Sequence, residues 1–521
     1  MSKKLVRSGL VVSSMTLISR CLGLVRDIVV AHLMGAGQSA DVFFLANKIP
    51  NFLRRLFAEG AFAQAFIPVL TEYQEQKPGQ VNQLIAKACG TLGVLVSIVT
   101  LLGVIGSPVV IAIFANGWFL DYLRDGADGQ KYEMASLLLK LTFPYLWFIT
   151  FAAFAGSILN SLGKFAVSAF TPVFLNISII GFAIWVCPTM EQPEIGLAAA
   201  VFVGGLVQFL FQLPFLWKLD VLVWPRWGWA HEGVQKIKNL MIPALFGVSV
   251  SQINLLLDTV IASYLMTGSI SWLYYSDRLL EFPLGLFGIA IATVILPALS
   301  KNYANYSSDK FSHTMDWGVR SVVVLGAPSM AGLILLAQPM LMVLFMRGEF
   351  SFHDVEMASM SLLAYASGLL SFMLVKVLAP GFYARQDTRT PVRYGIITMA
   401  SNMIFNIILA VPFGYVGLAM ATALSALLNA ILLYRGLVKA QVYYLSRSTY
   451  RCFLKVGVSV FVMSVGVLWM YPSQESWLLM GEWERFVTLM SLIVGAVLVY
   501  LFVFLLLGGR SEVIRQSSSS T

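Results

Sequence analysis

Charged residues inside two long apolar segments are the feature that most limits what this chain can fold into. The first segment, residues 10–34, and the second, residues 41–69, are interrupted by Arg20, Arg26, Asp27, Lys48, Arg54, Arg55 and Glu59. A charged side chain near the centre of a bilayer costs at least about 2.5–3.5 kcal/mol on insertion scales, so it normally faces protein or a watery cavity. Because basic residues outnumber acidic ones here, the pattern favours a pathway for an anionic substrate.

The composition indicates a helical membrane protein. Of the residues, 58% are hydrophobic and 12% are charged, whereas soluble domains contain about 25% charged residues. Apolar runs recur along the whole chain at lengths of about 20 residues, enough for a helix to cross the hydrocarbon core. Runs such as 92–105 and 489–507 do not alternate between apolar and polar residues, which argues against a β-barrel.

Breaks at charges, Pro and Gly predict an all-α polytopic membrane protein with about fourteen transmembrane helices. The predicted cores are residues 10–33, 42–70, 84–113, 134–155, 166–187, 195–217, 238–265, 271–299, 317–337, 355–378, 392–412, 416–435, 452–471 and 485–508.

The connections between these segments alternate in charge, which predicts the orientation. One set, together with both termini, is rich in Lys and Arg, whereas the opposite set contains few basic residues and several acidic ones. The positive-inside rule therefore places both termini in the cytoplasm. The same basic loops account for the net charge of +9 without nucleic-acid binding.

The two halves of the chain resemble each other at a spacing of about 230 residues, the kind of period that marks an internal repeat. Residues 27–35 align with 258–266, and residues 65–71 align with 294–300. Six spans separate the copies, so the repeat is parallel and a site is expected between its two lobes. The predicted organisation is an N-lobe at 1–225, a C-lobe at 226–440, two extra helices at 441–510 and a flexible cytoplasmic tail at 511–521.

Four strings combine charged residues with Gly, Pro or aromatic residues, at residues 19–27, 50–62, 274–283 and 376–388. They closely resemble the MurJ (MviN) lipid II flippases, a family of the multidrug/oligosaccharidyl-lipid/polysaccharide exporter superfamily, and the resemblance covers essentially the whole chain. It implies a multi-pass protein of the bacterial inner membrane, working as a monomer. Its function would be to flip the undecaprenyl-pyrophosphate-linked peptidoglycan precursor, lipid II, from the cytoplasmic to the periplasmic leaflet by alternating access. It also implies a groove for the lipid tail beside the last two helices, with surrounding bilayer lipids.

The charged residues of the sequence suit a substrate that carries a pyrophosphate. Arginine is permanently charged and can bind phosphate oxygens with two N–H groups at once, so it suits a pyrophosphate. Ser19 and Arg26 share one helix face, Arg20 and Asp27 a neighbouring one, and Lys48, Asn51 and Arg54 follow a stripe. The predicted substrate-binding residues are Arg20, Arg26, Arg54, Arg278, Ser19, Asp27, Asn51, Lys48, Asp41, Glu59, Glu281 and Lys376. The alternative for these charges is structural ion pairing, such as Arg26 with Asp27 or Asp41.

A second set of polar residues could couple transport to an ion. Asp258, Asn402, Asn406 and Thr422 lie within predicted spans, and oxygen ligands of this kind suit a small hard cation. In the family resemblance these positions look like a sodium site. The alternative is an interhelical hydrogen-bond cluster with no bound ion, in which case the protein needs no cofactor.

The sequence contains no recognisable catalytic motif, so a transporter is expected rather than an enzyme. The glycine-rich string 156–164 has six residues between its glycines where an ATP-binding phosphate loop has four. Two other functions compete with lipid II flipping. One is an ion-coupled exporter of drugs or of another lipid-linked oligosaccharide, but a drug-cation site would favour carboxylates over arginines. The other is a membrane scaffold, which would leave the buried arginines unexplained.

Overall fold

The structure is a computed structural model, and it describes residues 3–55, 62–305 and 307–509. These residues form helices and the turns that connect them, with no strand among them. The predicted all-α architecture is therefore confirmed.

The chain forms two compact units. The first comprises Met1–Ser271 together with the short segment Arg347–Phe350, and the second comprises Trp272–Met346 and Ser351–Thr521.

The helices of the first unit mostly begin and end where the sequence places charges, Pro or Gly. They are α1 (Lys3–Met34), α2 (Gln38–Leu53), α3 (Phe62–Gln76), α4 (Val81–Ile105), α5 (Ser107–Phe114), α6 (Asn116–Leu123), α7 (Gly129–Thr142), α8 (Tyr145–Ser161), α9 (Phe165–Phe170), α10 (Pro172–Gly181), α11 (Pro193–Lys218) and α12 (Glu232–Ala262).

Some predicted spans of the first unit are each divided into two helices. Gly106 and Pro108 separate α4 from α5, and Pro144 lies at the break between α7 and α8. Proline has no N–H to donate and cannot continue an interior turn without strain, so a new helix starts beside it.

The second unit contains the remaining helices. They are α13 (Ser269–Pro283, which begins at the end of the first unit), α14 (Ile289–Ala304), α15 (Ser308–Leu335), α16 (Ala337–Phe345), α17 (Phe352–Ser367), α18 (Leu369–Tyr383), α19 (Arg389–Lys439), α20 (Arg447–Met470), α21 (Gln474–Leu479) and α22 (Glu482–Leu506). Helix α19 bends sharply at Gly414, whose φ of 55° lies in the left-handed region that favours glycine. It therefore contains two segments, as the sequence predicted for 392–412 and 416–435.

Ten helical stretches in the described residues are long and apolar enough to cross a membrane. They overlap eleven of the predicted segments, because the stretch Arg389–Lys439 contains two of them. The other three predicted segments, at 10–33, 42–70 and 238–265, are helical where they are described. The total of about fourteen spans stays a prediction.

A core of aromatic and aliphatic side chains joins α3, α4, α8 and the start of α12. Phe66 is fully buried and its ring lies 5.2 Å from that of Phe62 and 4.9 Å from that of Phe154. Two exposed ion pairs, Lys77–Glu232 at 3.2 Å and Lys236–Glu72 at 2.7 Å, also connect α12 to α3 and its C-terminal end. These contacts place α12 in the first compact unit. The lobe boundary between residues 225 and 226 was predicted from the sequence repeat, and it stays a prediction.

A short segment from later in the chain completes the end of α1. The Glu349 N–H donates to the His32 carbonyl oxygen at 3.1 Å. Gly35 and Gly348 both have positive φ, 61° and 57°. A Cβ at Gly348 would collide with the His32 carbonyl, and one at Gly35 would collide with the Glu349 carbonyl. Only glycine therefore allows this close backbone approach.

The last two long helices pack on α15 in the second unit. Buried Cys452, Val456 and Met463 of α20 and Tyr500 and Phe504 of α22 form one cluster with Val323. The Tyr500 hydroxyl donates to the Val324 carbonyl at 2.7 Å. The predicted lipid-tail groove beside these helices stays a prediction, and the tail at 511–521 lies outside the described residues.

Candidate functional site

Arg26, in the second half of α1, is held by two polar partners. Its Nε and Nη2 both donate to Asp27 Oδ1, at 3.0 and 2.7 Å, and its Nη1 donates to Asn176 Oδ1 on α10 at 3.1 Å. The Arg26 side chain is 16% exposed, whereas that of Asp27 is 4% exposed. The guanidinium is thus fixed in direction while part of it remains accessible.

Asn176 is the residue that fixes this part of α1 against α10. Its Nδ2 donates to the Ser19 carbonyl oxygen at 3.2 Å while its Oδ1 accepts from Arg26. Gly23 lies between those two positions on α1, and an added Cβ there would sit 3.9 Å from Asn176 Nδ2. Ser19 contributes its backbone rather than its hydroxyl to this contact. The next residue, Arg20, is exposed.

The polar stripe predicted on α2 exists. Arg54 Nε donates to Asn51 Oδ1 at 3.2 Å, and Asn51 Nδ2 donates to the Asn47 carbonyl at 2.9 Å. Lys48, half-buried, donates from Nζ to the Thr259 hydroxyl of α12 at 2.6 Å. Glu59 lies outside the described residues.

Asp41 has a structural role in the geometry observed. It is 2% exposed, and its carboxylate accepts three hydrogen bonds, from the Gly268 N–H at 2.6 Å, the Ser271 N–H at 2.8 Å and the Ser271 hydroxyl at 2.6 Å. Gly268 lies on the connection that follows α12, and Ser271 lies in the first turn of α13. The carboxylate thereby holds Gly268 and Ser271 against α2, and no hydrogen bond or ion pair joins it to Arg26 in the described part of the chain.

In the second unit, Arg278 of α13 contacts two residues of its own helix, Glu281 and Tyr274. Its Nη1 donates to Glu281 Oε2 at 3.0 Å, and its Nη2 donates to the Tyr274 hydroxyl at 3.0 Å. The guanidinium carbon also lies 4.9 Å from the centroid of the Tyr274 ring. Lys376 of α18 is exposed.

The four residues of the predicted ion site are distributed over both units. Asp258 lies on α12 of the first unit, and the others lie on α19 of the second. Asn402 and Asn406 are fully buried: Asn406 Nδ2 donates to Asn402 Oδ1 at 3.0 Å, and Asn402 Nδ2 donates to the Ser425 hydroxyl at 3.1 Å. The Thr422 hydroxyl donates to the Leu418 carbonyl at 2.9 Å.

These contacts join Asn402, Asn406 and Ser425 within α19, and whether the four predicted residues bind an ion or only hydrogen-bond to one another stays a prediction. Amide and hydroxyl oxygens of the same cluster retain lone pairs that fit a hard cation. Among the described residues, no group of three or more His, Cys, Asp or Glu side chains could hold a metal. The sodium site stays a prediction.

Three residues that organise these groups were not among the predicted site residues, namely Asn176, Thr259 and Tyr274. Asn176 and Asn402 lie at about the spacing of the sequence repeat, and both asparagines are buried. A buried amide inside an apolar segment is the signal that could have identified it, since such a group needs hydrogen-bond partners. Thr259 and Tyr274 carry no comparable signal.

Comparison with known proteins assigns a family to this arrangement. Residues 30–497 match the family model described as lipid II flippase MurJ. The chain is 65% identical to the probable lipid II flippase MurJ of Vibrio cholerae over 98% of this chain and 97% of the relative. It is 60% identical to the corresponding Haemophilus influenzae protein, over 96% of this chain and 99% of the relative.

Solved structures agree in fold. A lipid II flippase MurJ in an inward closed conformation superimposes with a TM-score of 0.80 at 25% sequence identity, covering 97% of this chain and 99% of that chain. An inward-facing multidrug transporter of the MATE family gives a TM-score of 0.68 at 15% identity, over 83% of this chain and 98% of that chain. The second likeness concerns the fold alone.

Proposed function

This chain belongs to the MurJ family of lipid II flippases, and we propose that it carries lipid II from the cytoplasmic to the periplasmic leaflet by alternating access. The observation that carries the function is the 65% identity to a probable lipid II flippase along 98% of this chain. The half-buried basic residues Arg26, Lys48, Arg54 and Arg278 are consistent with an anionic headgroup, which disfavours export of cationic drugs or a purely scaffolding role.

Arg26 is the residue proposed to bind the pyrophosphate most directly. Asp27 and Asn176 orient its guanidinium, so little rotamer freedom remains to be lost when a phosphate binds. A guanidinium can present two N–H groups to one phosphate, and each charge-assisted hydrogen bond is about twice as strong as a neutral one. Asp27 offsets the charge of Arg26 in the absence of substrate, which lowers the cost of burying it.

Lys48 and Arg54 are basic residues on the polar stripe of α2. Lys48 donates to the Thr259 hydroxyl, and Arg54 donates to Asn51 Oδ1. A guanidinium and an ammonium group on one stripe suit a phosphate-containing headgroup. We assign the two residues, with Arg20 and Asn51, to binding the phosphates and adjoining polar groups of the headgroup. Arg278, Glu281 and Lys376 of the second unit are assigned to the same substrate on their sequence pattern.

The remaining features of the transporter are proposed from the sequence. The protein lies in the bacterial inner membrane with both termini in the cytoplasm, as its basic loops predict, and it works as a monomer. The undecaprenyl tail occupies a groove beside α20 and α22. Asp258, Asn402, Asn406 and Thr422 bind sodium, which would supply part of the driving force, and the membrane potential also favours outward movement of an anion.

The proposal is tested by depleting the protein in a bacterial host and measuring labelled lipid II in the outer leaflet. Wild type and Arg124→Ala, which removes an exposed arginine outside the proposed site, should restore it. Arg26→Ala and Arg54→Ala, produced at equal abundance in the membrane, should not. Unchanged outer-leaflet lipid II on depletion, in a host without a second flippase, would reject the function. Full restoration by Arg26→Ala would reject the site while leaving the function in place.

A further inference from the structure

A polar cavity in the first unit lies apart from the arginines. It has a volume of about 330 Å³ and is formed where α2, α7 and α11 begin. Its polar lining side chains are Gln38, Ser39, Gln130, Glu133, Gln192 and Glu194, and Val42 and Met134 complete the wall. The cavity is thus lined almost wholly by groups that offer oxygen atoms as acceptors.

Glu194, in the first turn of α11, is the unusual member of this set. It is 5% exposed, and its Oε2 is buried with no hydrogen-bond partner among the described residues. An ionised carboxylate taken out of water is strongly destabilising unless it is paired or coordinates a metal. Glu194 lines a polar cavity and has a buried carboxylate oxygen without a hydrogen-bond partner, which indicates a missing positive partner.

The electrostatics of the cavity favour a cation over an anion. Glu133 adds a second carboxylate at the exposed rim, and neither Lys nor Arg is among the residues that line the cavity. Lys131 is next to a lining residue in sequence, but its Nζ is held by Asp128 at 2.7 Å and the Thr267 hydroxyl at 2.6 Å.

We propose that this cavity binds one hard divalent cation, Ca²⁺ or Mg²⁺, through Glu194 and Glu133. Both ions prefer oxygen ligands, and two carboxylates neutralise a divalent charge. The cavity is larger than a bare ion, so bound waters fill the remaining coordination positions and bridge to the glutamine amides and Ser39. The predicted orientation puts this end of the unit on the periplasmic side. The bound ion joins the starts of three helices.

The site is tested by isothermal titration of the purified, chelator-treated full-length protein in detergent with CaCl₂ and with MgCl₂. Wild type should bind one equivalent of one of these ions. Glu194→Gln, which keeps the size of the side chain, should weaken binding at least about tenfold, because affinity depends on the number of charged ligands. Glu133→Gln should weaken it less, because that carboxylate lies at the rim. Glu191→Gln, an exposed acid on the same connection that does not line the cavity, is the matched control and should bind like wild type.

Size-exclusion profiles and metal-free thermal unfolding of each variant show whether it is folded. Absence of saturable binding by wild type at millimolar Ca²⁺ and Mg²⁺ would overturn the proposal. So would equal affinity of folded Glu194→Gln and wild type. A parallel titration with ethylammonium chloride tests whether the cavity binds an organic amine instead of a metal ion. Saturable binding of ethylammonium, without binding of Ca²⁺ or Mg²⁺, would also overturn the proposal. None of these outcomes depends on lipid II transport, so the site and the proposed function can fail separately.

Discussion

Arg26 and Asn176 are 150 residues apart in the chain, and Nη1 of Arg26 donates a hydrogen bond to Asn176 Oδ1 over 3.1 Å. The same amide donates to the Ser19 carbonyl oxygen. A single side chain on α10 therefore contacts two polar groups that lie about two turns apart on α1. The direction of the proposed phosphate-binding arginine is therefore set by a residue that does not itself carry charge.

Replacing Asn176 by Ala should reduce lipid II flipping about 10- to 100-fold while leaving the protein inserted. A hydrogen bond to a charged group contributes about 1.5–3 kcal/mol, and without it Arg26 would lose its contact with α10. The measurement is the initial rate of lipid II appearance in the outer leaflet at matched protein abundance. Asn82→Ala removes an exposed asparagine whose amide donates to the Asp220 carbonyl and should leave the rate unchanged. A wild-type rate for Asn176→Ala would remove the positioning role.

Replacing Thr259 by Val should lower stability by about 1–3 kcal/mol. Val has nearly the shape of Thr but leaves the half-buried Lys48 ammonium without the hydroxyl that accepts its hydrogen bond at 2.6 Å, and losing a hydrogen bond to a charged group costs about this much. Thermal unfolding of the purified protein measures the change, and Thr259→Ser, which retains the hydroxyl, should recover most of it. Wild-type stability of Thr259→Val together with a loss in Thr259→Ser would show that the methyl group matters and the hydroxyl does not.

Replacing Asp41 by Asn separates a structural role from a substrate-binding role. The amide can no longer accept from all the Gly268 and Ser271 donors, and its own NH₂ faces an N–H group. We therefore expect a loss of about 1–3 kcal/mol in stability. Flipping per folded molecule should stay within about twofold of wild type. A large loss of flipping in a protein of normal thermal stability would support the sequence prediction that Asp41 binds substrate.

Replacing Arg278 by Lys tests whether the guanidinium shape matters as well as its charge. Lys retains the charge but cannot form the same fork to Glu281 and Tyr274, nor present two parallel N–H groups to a phosphate. We expect flipping to fall about tenfold or more. Tyr274→Phe removes one hydrogen bond and keeps the ring beneath the guanidinium, so its effect should be smaller. If Arg278→Lys flips at the wild-type rate, only charge at this position is required.

The sequence predicted most of the helices because each signal is local. The bend at Gly414 falls between the two predicted segments 392–412 and 416–435. Its φ of 55° is a conformation that glycine adopts easily, so the glycine itself indicates a break in the helix. The division of 134–155 at Pro144 was missed because prolines are tolerated within membrane helices. A single proline in the sequence therefore does not show whether the helix bends there or ends and starts again.

The candidate site was predicted only in part, for a related reason. Helical spacing correctly put Lys48, Asn51 and Arg54 on one stripe, because neighbours on a helix face are fixed by the geometry of the helix itself. The partners that orient the charges come from α10 and α12, far away in sequence, and no local pattern specifies them. Asp41 is an example: the sequence shows its charge, but it does not show that Gly268 and Ser271 donate hydrogen bonds to it.

The backbone contact of Glu349 with His32 has a consequence for how the protein is made. The first unit includes Arg347–Phe350, so a ribosome that has just finished Ser271 has not yet supplied every part of it. The end of α1 must wait for a segment encoded well inside the sequence of the second unit. A gene bisected after residue 271 would consequently give a first fragment that lacks the Glu349 N–H donor to the His32 carbonyl oxygen.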